Sequence, residues 1–152
     1  MEEWKKDRIG SAVKGENPMV IARLKSGFAV IGDYQFLPGY CVLLRYPKCD
    51  SLNELSMEER TQFLSDMTLI GDAINEVCKP LKINYQILMN KDHYLHARIE
   101  ARYDWEPKEN KSLPTYFYPY EQRFADKNKY SEEKHGEMKA KIAKYLKENI
   151  EE

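Results

Sequence analysis

The sequence predicts a single domain of mixed helix and sheet, of α+β or α/β class, and three observations carry that reading. A chain of 152 residues with 42% hydrophobic content can bury one real core and has no room for two comfortable ones. Residues 93–103 alternate polar and apolar side chains with period two, the pattern of a half-buried strand. Phe63, Met67, Ile70, Ile74 and Val77 recur at steps of four and three, the pattern of one apolar helical stripe.

Taken in order, residues 3–14 read as a short helix ending near Gly15, because Asn17-Pro18 forbids simple continuation. Residues 19–24 and 28–31 are β-branched and aromatic-rich, and Lys25-Ser26-Gly27 between them is turn sequence, so a hairpin is expected. A third, largely apolar strand follows at 40–46 after the irregular stretch 32–39, giving three antiparallel strands. Ser56-Met57-Glu58-Glu59 is a capping box and should start the helix that carries the stripe, which ends before Lys79-Pro80. Gly71 inside that helix costs roughly 1 kcal/mol relative to alanine, which predicts a close packing contact there. Residues 83–88 form a fourth strand, and Asn90-Lys91-Asp92 turns the chain into the alternating strand as its antiparallel neighbour. Residues 104–111 are polar and loop-like. The proline-flanked aromatics of 113–119 should pack over a surface. Ser131 caps a final helix with the stripe Met138, Ile142, Tyr145, Leu146 and Ile150, suited to docking on the domain or on a partner subunit.

Charge and cysteine usage exclude several classes. A formal net charge of −1 and a pI near 6.3 leave no basic footprint for duplex nucleic acid or a membrane surface, so an anion must be held locally. The N-terminal residues Met1-Glu2-Glu3-Trp4 begin no apolar signal-peptide core, and no run reaches membrane-spanning length. Cys41, Cys49 and Cys78 are odd in number and widely spaced, as expected of reduced thiols in the cytoplasm rather than a disulfide framework or zinc site. Neither a metal nor a cofactor is expected.

The alternating strand is where chemistry concentrates. Its polar row carries His96, Arg98, Glu100 and Arg102, and its apolar row Leu95, Ala97, Ile99, Ala101 and Tyr103. One imidazole and two guanidiniums on one face suit an anion, while a solvated outer face is the ordinary reading of such a row. His93 has the wrong parity for that face, a His93/His96 pair offers only two metal ligands, and His135 reads as a surface residue of the last helix.

Three segments, 32–40 (Gly-Asp-Tyr-Gln-Phe-Leu-Pro-Gly-Tyr), 83–90 (Ile-Asn-Tyr-Gln-Ile-Leu-Met-Asn) and 95–107, together with the order hairpin, strand, long helix, strand, His-bearing strand, resemble the histidine triad (HIT) family of nucleotide hydrolases and transferases. The similarity runs from about residue 8 to 119 and is greatest to its bacterial diadenosine-tetraphosphate-hydrolase-like branch. It implies an α+β, HIT-like fold: an antiparallel five-stranded sheet with a long crossover helix, flanked by N-terminal and C-terminal helices. It also implies a HIT-like domain over residues 1–125, a helical extension over 126–152, and a homodimer through the long helix and the neighbouring strand.

The family's His-x-His-x-His motif falls on Tyr94, His96 and Arg98. With the attacking ring taken to be the last of the three, its seat holds Arg98, a permanent cation with five donors and no accepting lone pair, which cannot form a nucleotidyl intermediate. Arg98 still suits phosphate, because its fork can bond two oxygens at once. The resemblance therefore implies a nucleotide-binding protein that has lost the covalent step and holds a purine nucleotide or dinucleoside polyphosphate at His96, Arg98 and Arg102. Asp33 would accept from ribose hydroxyls and Asn90 would reach phosphate from the turn. The ordinary alternatives are an Asx-turn at Asp33 and a left-handed turn at Asn90. Two other readings remain open: a hydrolase in which His96 activates water while Arg98 stabilises developing charge, and a scaffold dimer with no ligand. Glu100, a same-face neighbour, would close the site if it neutralised Arg98.

Overall fold

The computed structural model describes residues 2–150. Among them, β1 (Val20–Leu24), β2 (Gly27–Ile31), β3 (Cys41–Arg45), β4 (Lys82–Gln86) and β5 (His96–Arg102) form one sheet in the order β1-β2-β3-β5-β4. The helices are α1 (Arg8–Val13), α2 (Met57–Cys78), α3 (Lys108–Lys111), α4 (Tyr120–Arg123) and α5 (Glu132–Asn149). Every neighbouring pair of strands is antiparallel, which makes the class α+β. β3 and β4 both run antiparallel to β5, which lies between them, so α2 is the crossover joining two parallel strands.

Local chemistry explains the element ends. The Ser56 hydroxyl accepts the Glu59 N–H at 3.1 Å and the Glu59 carboxylate accepts the Ser56 N–H at 3.0 Å, so the capping box starts α2 as expected. α2 stops where Lys79 turns left-handed at φ 51°, just before Pro80. Leu24 pairs with Gly27, so the hairpin turn is only two residues long, and a Cβ on Gly27 would stand 1.8 Å from the Leu44 carbonyl oxygen. β4 ends at Gln86 rather than at 88, and the chain turns left-handed at Met89, φ 51°, three residues on. Gly71 does mark a close contact: a Cβ there would lie 2.1 Å from the Tyr85 hydroxyl on β4.

α2 and α5 cover one face of the sheet. Phe63, Ile70, Ala73 and Ile74 of α2 are fully buried with Ala97, Ile99 and Ala101 of β5. Ile142 and Leu146 seal α5 onto α2 and β1, so this helix takes its own domain as its docking surface. The opposite face divides in two. Its half nearest His96 is an open cleft, and its far half is roofed by residues 104–124, with Tyr118 buried at 3% exposure. The polar row of β5 is therefore not a continuous solvated face: Glu100 and Arg102 are 6% and 4% exposed. Tyr116 and Phe117 of the roof remain exposed, so only part of that aromatic run packs down.

Candidate functional site

A cleft of about 430 Å³ lies on the sheet face opposite α2. Val30, Val42 and Leu44 form its apolar floor, and His96 and Arg98 stand beside them because Leu44 pairs with His96 and Val42 with Arg98 across β3 and β5. Arg8 and Asp33, the turn through Asn90, and Phe124 also line it. Four predicted site residues, His96, Arg98, Asp33 and Asn90, thus line one concave space.

His96 is held by its own strand. Its Nδ1 lies 2.8 Å from the Tyr94 carbonyl oxygen. A carbonyl only accepts, so Nδ1 carries the proton, and in the neutral ring the lone pair is on Nε2 at the ring's other side. That nitrogen can attack phosphorus or take a proton from water. The position at which the resemblance placed the attacking ring holds a guanidinium, yet an imidazole with an accepting nitrogen lines the same cleft one pleat away. Arg98 alone therefore does not remove the covalent step.

Arg98 donates Nε–H to the Tyr40 hydroxyl at 2.9 Å, with its guanidinium 5.3 Å from that ring's centre. Burial pushes the Tyr40 phenol up, and although neighbouring Arg98 pulls the other way, the net direction is upward, so Tyr40 stays a neutral acceptor. For Arg98 burial alone would lower the pKa; Tyr40 and Glu100 outweigh it and the net direction is upward, so the cation persists. Glu100 does not close the site. Its Oε2 accepts from the Thr115 hydroxyl, and the two terminal nitrogens of Arg98 make no hydrogen bond within the described residues.

Asp33 is in the cleft wall but already engaged. Arg8 donates to both of its oxygens, at 3.2 and 2.7 Å. This pairing is the first cause of the raised pKa of Arg8. Each carboxylate oxygen keeps a second lone pair, so Asp33 can still accept from a ligand hydroxyl. Asn90 is exposed at the tip of the turn. Tyr94 lines the cleft with Lys48 5.4 Å from its ring centre, while His93 is exposed and does not line it. His135 is engaged rather than free at the surface: its Nδ1 accepts the Ser131 N–H at the start of α5, and its ring stacks on Tyr130.

Arg102 is the correction. Its alternation in the strand is right, but the roof has folded over it and all five of its N–H groups are spent. Nε and Nη2 donate to Glu106, Nη1 to Asn84 Oδ1 and the Leu113 carbonyl, and the remaining Nη2 hydrogen to the Asn110 carbonyl. Arg102 is thus a staple fixing residues 106–113 to the sheet, with no donor left for a ligand. The spacing Arg102-x-x-x-Glu106 was visible in the sequence, but only the fold shows that the two meet. Arg8 and Tyr40 were missed as cleft residues. Tyr40 lay inside a quoted motif, while Arg8 carried no local signal because its partner is 25 residues away.

No known family's sequence pattern matches the chain, and no curated protein does. Solved structures do. A histidine triad protein from Sinorhizobium meliloti superposes with TM-score 0.70 at 20% identity, covering 84% of this chain and 89% of that one. A hypothetical histidine triad nucleotide-binding protein from Sulfolobus tokodaii gives 0.68 at 12% identity, over 93% of this chain and 92% of that one. The Plasmodium falciparum diadenosine triphosphate hydrolase gives 0.57 at 16% identity, over 88% and 79%. At such identities what is shared is shape: the chain has the HIT fold. Among the described residues no helix is long and apolar enough to cross a membrane, and no three metal-binding side chains cluster.

Proposed function

We propose that this chain is a HIT-family protein, of the bacterial diadenosine-tetraphosphate-hydrolase-like branch, that binds a purine nucleoside phosphate or dinucleoside polyphosphate in the cleft. Arg98 and His96 hold the phosphate, Asp33 accepts from the ribose with Arg8 behind it, and Asn90 approaches phosphate from the turn. The observation that carries this is Arg98: a half-buried cation over an apolar floor, with its terminal nitrogens unpaired among the described residues and one oxygen of the Glu100 carboxylate bonded to Thr115. A guanidinium left open in this way is a fork for two anionic oxygens. Calorimetric titration with AMP, ADP and diadenosine tetraphosphate tests it. Saturable binding that is lost in Arg98→Ala is expected, and no heat at millimolar ligand removes the reading.

One observation favours a catalytic reading over a purely binding one, namely the Nδ1 bond that leaves His96 Nε2 as an acceptor. In that reading Nε2 attacks the α-phosphorus as the bond to the leaving phosphate oxygen breaks, or removes a proton from attacking water, while Arg98 steadies the developing charge. Product release from the dinucleoside polyphosphate, abolished by His96→Ala, supports it; release unchanged in that variant identifies a contaminant. The same proposal includes a homodimer through α2 and β4. Among the described residues β4 pairs only with β5, and Leu64 on α2, Leu81 just before β4 and Tyr85 on β4 are exposed. Sedimentation at monomer mass excludes it.

A further inference from the structure

The Asp33 side of the cleft is not built by its own loop alone. Residues 128–130 run antiparallel beside it as a strap: the Gln35 N–H donates to the Asn128 carbonyl at 2.6 Å, Tyr34 bridges to Lys129, and the Tyr130 N–H donates to the Asp33 carbonyl at 2.8 Å. One residue later the strap enters α5. Ser131 Oγ accepts the Lys134 N–H at 3.2 Å, and the Ser131 N–H donates to His135 Nδ1 at 3.0 Å. These bonds follow the plan of a capping box, with an imidazole where a carboxylate would ordinarily reach back. The His135 ring also stacks on Tyr130, centres 5.5 Å apart, so one side chain holds the turn from strap to helix. The charged groups around it are Lys134, with Nζ on the Lys127 carbonyl, Glu132, which takes the Tyr130 hydroxyl, and Lys139, 5.9 Å from the Tyr130 ring centre and bonded to the Pro18 carbonyl. Across the strap stands the Asp33 carboxylate with Arg8 and Lys5.

We propose that His135 is a positioning residue for Asp33: a neutral ring latches the strap to the cleft wall, and a protonated ring releases it. The Nδ1 lone pair that accepts the Ser131 N–H is the one a proton would occupy. Two N–H groups would then face each other, and the new cation would stand at the positive end of the α5 dipole. Burial first, and Lys134 with it, holds the His135 pKa below the ordinary imidazole value. The latch is therefore fully closed above about pH 6.5 and opens as pH falls through the lower folded-state value. The Tyr130 bond to the Asp33 carbonyl then loses its support, and Asp33 its fixed place against a ligand hydroxyl. That last step rests on the nucleotide reading above, and the latch itself does not.

Hydrogen exchange at the Tyr130 amide, followed by NMR on the full chain, tests the latch without a ligand. Between about pH 7.5 and about pH 5 its protection, corrected for the intrinsic exchange rate, should fall about tenfold more in the wild type than in His135→Gln, whose amide oxygen can accept the Ser131 N–H at any pH. The wild-type fall should share its midpoint with the titration of the His135 ring resonance. Calorimetry with AMP and its dideoxy form, which lacks both ribose hydroxyls, then reads Asp33. The preference for AMP should shrink as pH falls in the wild type and hold in His135→Gln. Equal pH dependence of Tyr130 protection in the two chains, or a midpoint away from that of the ring, overturns the latch, and the midpoint decides alone if the variant does not fold. Protection that follows the ring while AMP fails to bind keeps the latch and removes the nucleotide reading. Protection that follows the ring while the preference for AMP stays constant overturns the role of His135 in placing Asp33.

Discussion

Glu106→Ala should be the most damaging single substitution outside the apolar core. The Glu106 carboxylate takes Arg102 from two nitrogens, the Tyr103 N–H at 2.7 Å and the Tyr118 hydroxyl at 2.7 Å, with 1% of its side chain exposed against 5% for Arg102. Deleting it strands a buried guanidinium, which costs about 3–5 kcal/mol, and frees two further donors whose losses overlap with that figure. For a domain of this size the melting temperature should fall by about 10 °C or more. Arg102→Met in the same chain removes the orphaned charge, so the double variant should recover at least about half of the loss. Urea unfolding followed by circular dichroism measures both. The pH arm has a definite sign. Burial alone would push the Glu106 carboxyl up, but the bonds from Arg102, Tyr103 and Tyr118 outweigh it and hold it below the ordinary carboxylate range. Its stabilisation is thus fully present above about pH 5 and fades as pH falls below about 4, so the gap between wild type and Glu106→Gln should shrink there. A Glu106→Ala loss under about 1 kcal/mol, or a double variant no better than the single, refutes the staple.

Arg98→His should weaken AMP binding in a calorimetric titration, because an imidazole offers at most two donors in place of a fork that bonds two phosphate oxygens at once; an unchanged affinity in a folded variant would mean that Arg98 does not hold the phosphate. Tyr40→Phe removes the acceptor that orients Arg98 and should weaken AMP binding by about threefold to tenfold, with adenosine binding unchanged; equal weakening of both points to general damage. Gly71→Ala should destabilise the wild-type chain, because the new methyl meets the Tyr85 ring, and should stabilise a Tyr85→Ala background by about 1 kcal/mol through helix propensity. The same sign in both backgrounds rules out the contact as the reason for the glycine.

Elements whose causes are local were legible. The capping box of α2, the alternation of β5 and the Ser131 cap of α5 depend on neighbours a few residues apart and form where their residues direct, as does the hairpin predicted around Lys25-Ser26-Gly27, except that Gly27 joins β2 and leaves a two-residue turn. Element ends were read less well, as at β4, which runs Lys82–Gln86 rather than 83–88 and has no glycine or proline to announce where it stops. The site was half legible. His96, Arg98, Asp33 and Asn90 converge on the cleft, but Arg8, the pairing partner of Asp33, and Tyr40, the support of Arg98, act across 25 and 58 residues.

By itself the sequence determined a single domain of mixed helix and sheet, the two faces of β5 and the kind of chemistry one face can carry, because periodicity and donor inventory are properties of neighbouring residues. Only the tertiary structure decided which of those polar groups meet solvent. Residues 104–124 fold across one half of the sheet face, so Arg102 becomes a buried staple while Arg98, four residues earlier on the same side of the strand, remains open to an anion. A strand's pattern sets direction, and burial is set by whatever chain arrives later to cover it.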